Sequence, residues 1–204
     1  MSKPVIGLTG PTGAGKSTLA AAWRELGCMI IDADRIAREV VSFPECLSHL
    51  KAEFGGDIVN ENGSLNRKLL GQRAFSDPDK TARLNAITHP SILREISDQI
   101  IRGKQSEVKA VIVDAPLLFE SNADRFCDVS VAVTAPEELR LSRIMSRDGI
   151  SRELASERIA AQHDEAYFLA RARYTFPGLL SADAVPAAAR ALLLKIFGDL
   201  HETF

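Results

Sequence analysis

Four short apolar runs punctuate the chain: Val5–Thr9, Met29–Asp32, Ala110–Asp114 and Val129–Thr134. Each is too short for a stable helix and is bounded by polar or turn-forming residues, the pattern of strands buried on both faces. Segments with helical periodicity separate them. That alternation predicts an α/β fold, a mostly parallel sheet covered by helices on both sides. Residues 33–109 lie between the second and third runs, far more than one crossover needs, so a helical region is inserted there.

The insertion has its own punctuation. Ile36, Ala37, Val40 and Val41 fall at helical spacing, and Pro44 can open the next helix. Asn62-Gly63 marks a turn, Asn66 can cap a helix over Arg67–Phe75, and Asp77-Pro78 sets a cap before a proline at the first helical position. From Pro90 to Arg102, Ile92, Leu93, Ile96, Ile100 and Ile101 form one stripe, which predicts a helix beginning at Pro90. After the fourth strand, Pro136 opens a helix to about Arg147, Asp148-Gly149 breaks it, and Ser151 starts another. Arg173–Gly178 reads as a fifth, edge strand, and Pro186–Phe204 as a packing helix.

The loop between the first strand and the helix after it carries the chemistry. Gly10–Ser17 reads GPTGAGKS and fits G-x-x-x-x-G-K-[ST], a phosphate-binding loop. Gly10, Gly13 and Gly15 allow backbone N–H groups to converge on phosphate oxygens, and the following helix adds its positive dipole end. Gly13, Ala14, Gly15, Lys16, Ser17 and Thr18 are the candidate ATP contacts. Lys16 would bridge the terminal phosphates, and the Ser17 hydroxyl would ligate Mg²⁺. The fold class is therefore a P-loop NTPase-type three-layer α/β/α core.

Composition narrows the partners. The 204 residues are 46% hydrophobic with net charge −2, which lacks the basic footprint of nucleic-acid binding. No apolar stretch reaches membrane-spanning length, and no signal peptide is evident. Cys28, Cys46 and Cys127 are odd in number and show no metal spacing, as in a reduced cytoplasmic protein. No sustained heptad is present, so a monomer or weak homo-oligomer is expected.

The remaining motifs favour a kinase among phosphate-loop proteins. The guanine-reading Asn/Thr-Lys-x-Asp segment is missing, and Asp114-Ala115-Pro116-Leu117 lacks a GTPase's glycine. Asp32 and Asp34 follow the second strand, at the strand ends where such sheets bind ligands. A carboxylate is too weak a base to strip a sugar hydroxyl early. Asp34 would instead orient the attacking oxygen and take its proton late, while Asp32 either joins it or caps the next helix. Asp114 ends a buried strand and can order Mg²⁺ water ligands from behind. Arg140, Arg143 and Arg147, with Arg152 and Arg158 beyond the break, form either a solvated face or a lid that carries cations over the phosphates. His89 precedes Pro90 and can be structural or touch substrate.

In order, GLTGPTGAGKST (7–18), DADRIAREVV (32–41), Leu65-Asn66-Arg67, LNAITHP (84–90), VDAPLLFE (113–120), Arg143, Arg147-Asp148-Gly149 and Gln162 make the chain resemble the dephospho-CoA kinase family. The resemblance runs from Val5 to about Gln162. It implies ATP-dependent phosphorylation of the ribose 3′-hydroxyl of dephospho-CoA, with Mg²⁺, in the last step of coenzyme A synthesis. It implies a nucleotide-binding core of about 1–34, 107–140 and 170–204, a helical CoA-substrate insertion of about 35–106, and a lid of about 141–169. Asp34 would be the catalytic base, aided by Lys16, Arg143 and Arg147. Asp32, Arg67, His89, Pro116, Leu117 and Leu118 would lie near dephospho-CoA. Two positions depart from the family pattern: Arg140 stands where glutamine is usual, and the stretch 172–178 lacks an asparagine that commonly borders the adenine. A kinase for another hydroxyl acceptor and a nucleotide-binding regulator without catalysis are the competing readings.

Overall fold

The computed structural model describes residues 3–201. Its five strands are β1 (Val5–Thr9), β2 (Met29–Asp32), β3 (Val111–Asp114), β4 (Val129–Thr134) and β5 (Tyr174–Pro177), in sheet order β2-β3-β1-β4-β5. β1 lies parallel to both β3 and β4, with Val5 opposite Val111 and Ile6 opposite Val129, and β4 lies parallel to β5. Every residue of the central β1 is buried, which explains its unbroken apolar run. The edge strand β5 alternates buried Tyr174 and Phe176 with exposed Thr175 and Pro177. A half-buried strand needs only every second residue to be apolar, and Pro177 suits an edge.

Helices α1 (Lys16–Glu25) and α9 (Val185–His201) pack together beside the sheet. Trp23 of α1 is fully buried, and its indole Nε1 donates to the Ala189 carbonyl at 3.0 Å. The expected C-terminal helix is thus present through His201; residues 202–204 lie outside the described residues. Two contact-defined units divide the chain, one being Asp32–Gln99 and the other the flanking segments on both sides.

The Asp32–Gln99 unit contains α2 (Ala33–Val40), α3 (Pro44–Phe54), α4 (Arg67–Ala74) and most of α5 (Pro78–Gln105). It has its own core of Val41, Cys46, Leu50, Phe54, Ile58, Leu70 and Ala74. The Asn66 side chain caps α4 by accepting from the Leu69 amide at 3.0 Å. One expectation fails: Pro90 does not start a helix but lies inside α5. A mid-helix proline costs roughly 3 kcal/mol. Here Leu84 and Ile87, before the proline, pack against the unit's core, and Ile96, after it, is buried. Burial on both sides outweighs the lost hydrogen bond.

In the other unit, α6 (Glu137–Asp148) ends at Gly149, whose left-handed backbone (φ 64°) closes the helix. α7 (Arg152–Ala160) starts at Ser151, and α8 (Glu165–Leu169) at Asp164, each capped through the side chain. Leu141, Ile144 and Ala155 form a small core joining α6 to α7.

Candidate active site

Gly10, Gly13 and Gly15 all have positive φ (140°, 77° and 104°), and the loop ends where Gly15 caps α1. At Gly13 the conformation is enforced by crowding as well, since a Cβ there would lie 2.8 Å from the Arg140 carbonyl oxygen. The carbonyl side of the loop is held by side chains. Arg140 Nε donates to Thr12 O at 2.9 Å. Arg143 Nη1 donates to Gly13 O at 3.1 Å and Ala14 O at 3.2 Å, and its Nη2 to Gly178 O at 2.7 Å. Gln162 Oε1 accepts from the Thr12 amide at 2.8 Å.

Lys16 is the first residue of α1, and its ammonium pairs with the Asp114 carboxylate at the end of β3. Ser17 and Thr18, the next two residues, are exposed. These two hydroxyls therefore sit in the first turn of α1, where the dipole favours an anion. Thr9, fully buried at the end of β1, donates its hydroxyl to the Pro116 carbonyl at 3.1 Å and so fixes the start of the loop after β3. Within that loop the two leucines diverge. Leu117 is 58% exposed, whereas Leu118 is fully buried, packed where a Cβ on Gly7 would otherwise be. A ligand can meet the Leu117 side chain but not that of Leu118.

The arginines after β4 also diverge. Arg143 reaches the phosphate loop, but Arg147 forms two bonds to Asp148, at 2.7 and 2.9 Å, and the same carboxylate binds Arg158. The Arg147 guanidinium beside Asp148 holds that carboxyl below the usual carboxylate range. Arg152 pairs with Glu138. So Arg143, Lys16, Ser17 and Asp114 are gathered around the loop, and Arg147 is engaged at the break between α6 and α7.

The acceptor-side candidates lie in the Asp32–Gln99 unit. Asp32 caps α2, its Oδ1 accepting from the Arg35 amide at 2.9 Å. Asp34, in the first turn of α2, is exposed. Arg67 opens α4 with its guanidinium exposed, 3.4 Å from the Ser42 hydroxyl. His89 is half-buried inside α5 rather than at a helix start.

Two features had no clear signal in the sequence. Gly178 lies against the phosphate loop so closely that a Cβ would be 1.8 Å from Ala14 O; only its position just after an edge strand hinted at this. His163 stacks on Tyr167 at 3.7 Å, with its Nε2 3.7 Å from Glu120, while Arg171 lies 3.9 Å from the centre of the same ring and Phe119 meets it edge-on. A lone histidine two residues after Ala160-Ala161 gives no hint of such a stack.

Comparison with known proteins joins these observations. A family model described as dephospho-CoA kinase matches residues 4–177. A dephospho-CoA kinase of Corynebacterium diphtheriae is 39% identical over 189 residues, 92% of this chain and 94% of that protein. A Thermus thermophilus protein of known crystal structure superposes with TM-score 0.80 at 32% identity, covering 96% of this chain and 98% of the other. Dephospho-CoA kinase from Campylobacter jejuni superposes with TM-score 0.72 at 28% identity, covering 95% and 97%. The strand-end loop, the sheet order and this full-length likeness place the chain in the dephospho-CoA kinase family, which phosphorylates dephospho-CoA using ATP in the last step of coenzyme A biosynthesis.

Proposed function

We propose that the chain transfers the γ-phosphoryl group of ATP to the ribose 3′-hydroxyl of dephospho-CoA, with Asp34 positioning that hydroxyl. The observation that carries the nucleotide half is the loop itself: three glycines at positive φ, followed at once by Lys16 at the start of α1. The triphosphate lies along Gly13–Thr18, and Lys16 meets its terminal oxygens. Asp114 keeps the Lys16 ammonium at the mouth of the loop. Arg143 adds positive charge on the carbonyl side, where it favours the bound anion.

The donor set fits Mg²⁺ brought in with the nucleotide. Ser17 offers a hydroxyl and Asp114 a carboxylate, and among the described residues no group of three or more His, Cys, Asp or Glu could hold a metal by itself. Mg²⁺ suits such a sparse site, because it retains waters and takes its other ligands from phosphates. Held there by the Ser17 hydroxyl, with Asp114 close behind, Mg²⁺ would supply positive charge to offset that of the phosphates.

Asp34 follows β2 by two residues and is exposed in the first turn of α2. Its carboxylate accepts a hydrogen bond from the acceptor hydroxyl, aligns the oxygen, and takes the proton as the bond to phosphorus forms. Asp32, already engaged as a cap, contributes through the backbone direction it sets. Arg67, an exposed cation, suits a phosphate of dephospho-CoA. His89, Pro116 and Leu117 complete the acceptor contacts, and Leu118 supports the loop from beneath. Arg147 and its partner Asp148 mark the hinge of a lid over residues 141–169. The three free thiols fit a reducing cytoplasm.

The direct test is endpoint formation of CoA from Mg²⁺-ATP and dephospho-CoA, followed by mass spectrometry with other hydroxyl acceptors alongside. CoA should form, and Lys16→Ala should abolish both nucleotide binding and product. Phosphorylation of another acceptor in preference, or unchanged kinetics in Lys16→Ala, would overturn the assignment.

A further inference from the structure

We propose that Arg140 is a positioning residue for phosphoryl transfer, holding the Thr12 peptide and placing a buried cation behind the phosphate loop so that the loop accepts a triphosphate. The inference rests on the kinase reading above. Arg140 is only 5% exposed, on the first turns of α6. Its Nε donates to Thr12 O at 2.9 Å, and its backbone abuts Gly13. Arg143, one turn on, takes the Gly13 and Ala14 carbonyls.

Peptide planarity turns those bonds into a statement about the loop's other side. In a trans peptide the carbonyl of one residue points opposite to the N–H of the next. Fixing the Thr12 and Ala14 carbonyls toward α6 therefore aims the Gly13 and Gly15 N–H groups away from it. The intervening Ala14 N–H is used within the loop, by Pro11 O at 3.1 Å. Arg140 and Arg143 thus select which amides remain available to an anion.

Among the described residues, no group accepts a hydrogen bond from the buried Arg140 Nη2. Burial pushes the guanidinium down from its ordinary value, against the carboxylates of Glu137 on α6 and Glu165 on α8, which favour its charge. A buried donor left without a hydrogen bond, on a cation taken out of water, destabilises the chain that carries it. An apolar side chain of similar volume would pack there at less cost. The cation makes sense if its field is used on the far side of the loop, where a low-dielectric surround strengthens attraction to a polyanion.

Arg140→Met keeps the bulk and removes both bond and charge; Arg140→Lys restores a charge and a donor. Melting temperature, direct binding of Mg²⁺-ATP and the KM for dephospho-CoA are measured for both and for the wild type. Arg140→Met should melt no lower than wild type, bind ATP about tenfold more weakly and keep its KM for dephospho-CoA. Arg140→Lys should regain most of the lost affinity. A merely structural arginine would instead lower the melting temperature and weaken both substrates together, overturning the proposal. So would ATP affinity within about twofold of wild type in the methionine variant, or a lysine variant no tighter than methionine. Failure of the wild type to bind ATP would defeat the kinase reading itself, separately from the role of Arg140.

Discussion

The phosphate loop and the Asp32–Gln99 unit both carry residues marked for chemistry, and they hold them in opposite ways. Around the loop the charged and polar groups are already engaged: Arg140, Arg143 and Gln162 bind its peptides, and the Asp114 carboxylate pairs with the Lys16 ammonium. In the helical unit, Asp34 and Arg67 stand exposed on the first turns of α2 and α4. The difference teaches where each half's precision comes from. A loop that receives charge with backbone amides must have its backbone fixed beforehand. A surface that receives a large acceptor can leave long side chains free and let the ligand order them, at an entropic cost taken on binding.

The contrast can be broken most severely at Gly13. Gly13→Ala puts a Cβ 2.8 Å from the Arg140 carbonyl oxygen at a φ of 77°, a strain that can be relieved only by moving the loop. ATP binding should fall by about 100-fold or more, as isothermal titration would show, while α3 and α4 stay folded by hydrogen exchange. Binding within a few-fold of wild type would show that the loop is not held as described.

A smaller effect is expected from the exposed half. Arg67→Ala should raise the KM for dephospho-CoA by roughly ten- to hundredfold, the value of a charge-assisted bond, and leave ATP affinity unchanged. Steady-state kinetics with each substrate varied would separate the two. Loss of ATP affinity instead would erase the proposed division of labour.

The smallest effect belongs to the α6–α7 break. Because Asp148 is held below the usual carboxylate range by Arg147, its contribution to stability is complete above the unfolded value of about 4 and is lost as pH falls through the lower folded value. Arg147→Ala should move the Asp148 carboxyl titration, followed by NMR, back up toward the ordinary value. An unchanged titration would contradict the pairing.

Much of the loop was legible in the sequence because its physics is local. Glycines at fixed spacing, a strand before and a helix after leave few other conformations. Asn66 and Asp77 were readable as caps, and Ser151 as a helix start, for the same reason, since each is held by a short-range bond. What escaped depended on long-range packing. The helix through Pro90 is decided by cores that the local proline signal ignores. Leu117 and Leu118 look alike in sequence, and only Gly7 beneath one of them separates their roles. The arginines of α6 looked like one cationic face. The chain instead buries Arg140, turns Arg143 onto the loop and gives Arg147 to Asp148.

The most direct test of the division between a prefixed nucleotide loop and a separate acceptor carboxylate is Asp34→Asn, scored for Mg²⁺-ATP binding and for CoA formation on the same preparation. The account predicts wild-type ATP affinity with turnover reduced by about 100-fold or more, since the nucleotide loop does not rely on Asp34. Near-wild-type turnover would remove Asp34 from the reaction, and a parallel loss of ATP binding would contradict the separation itself.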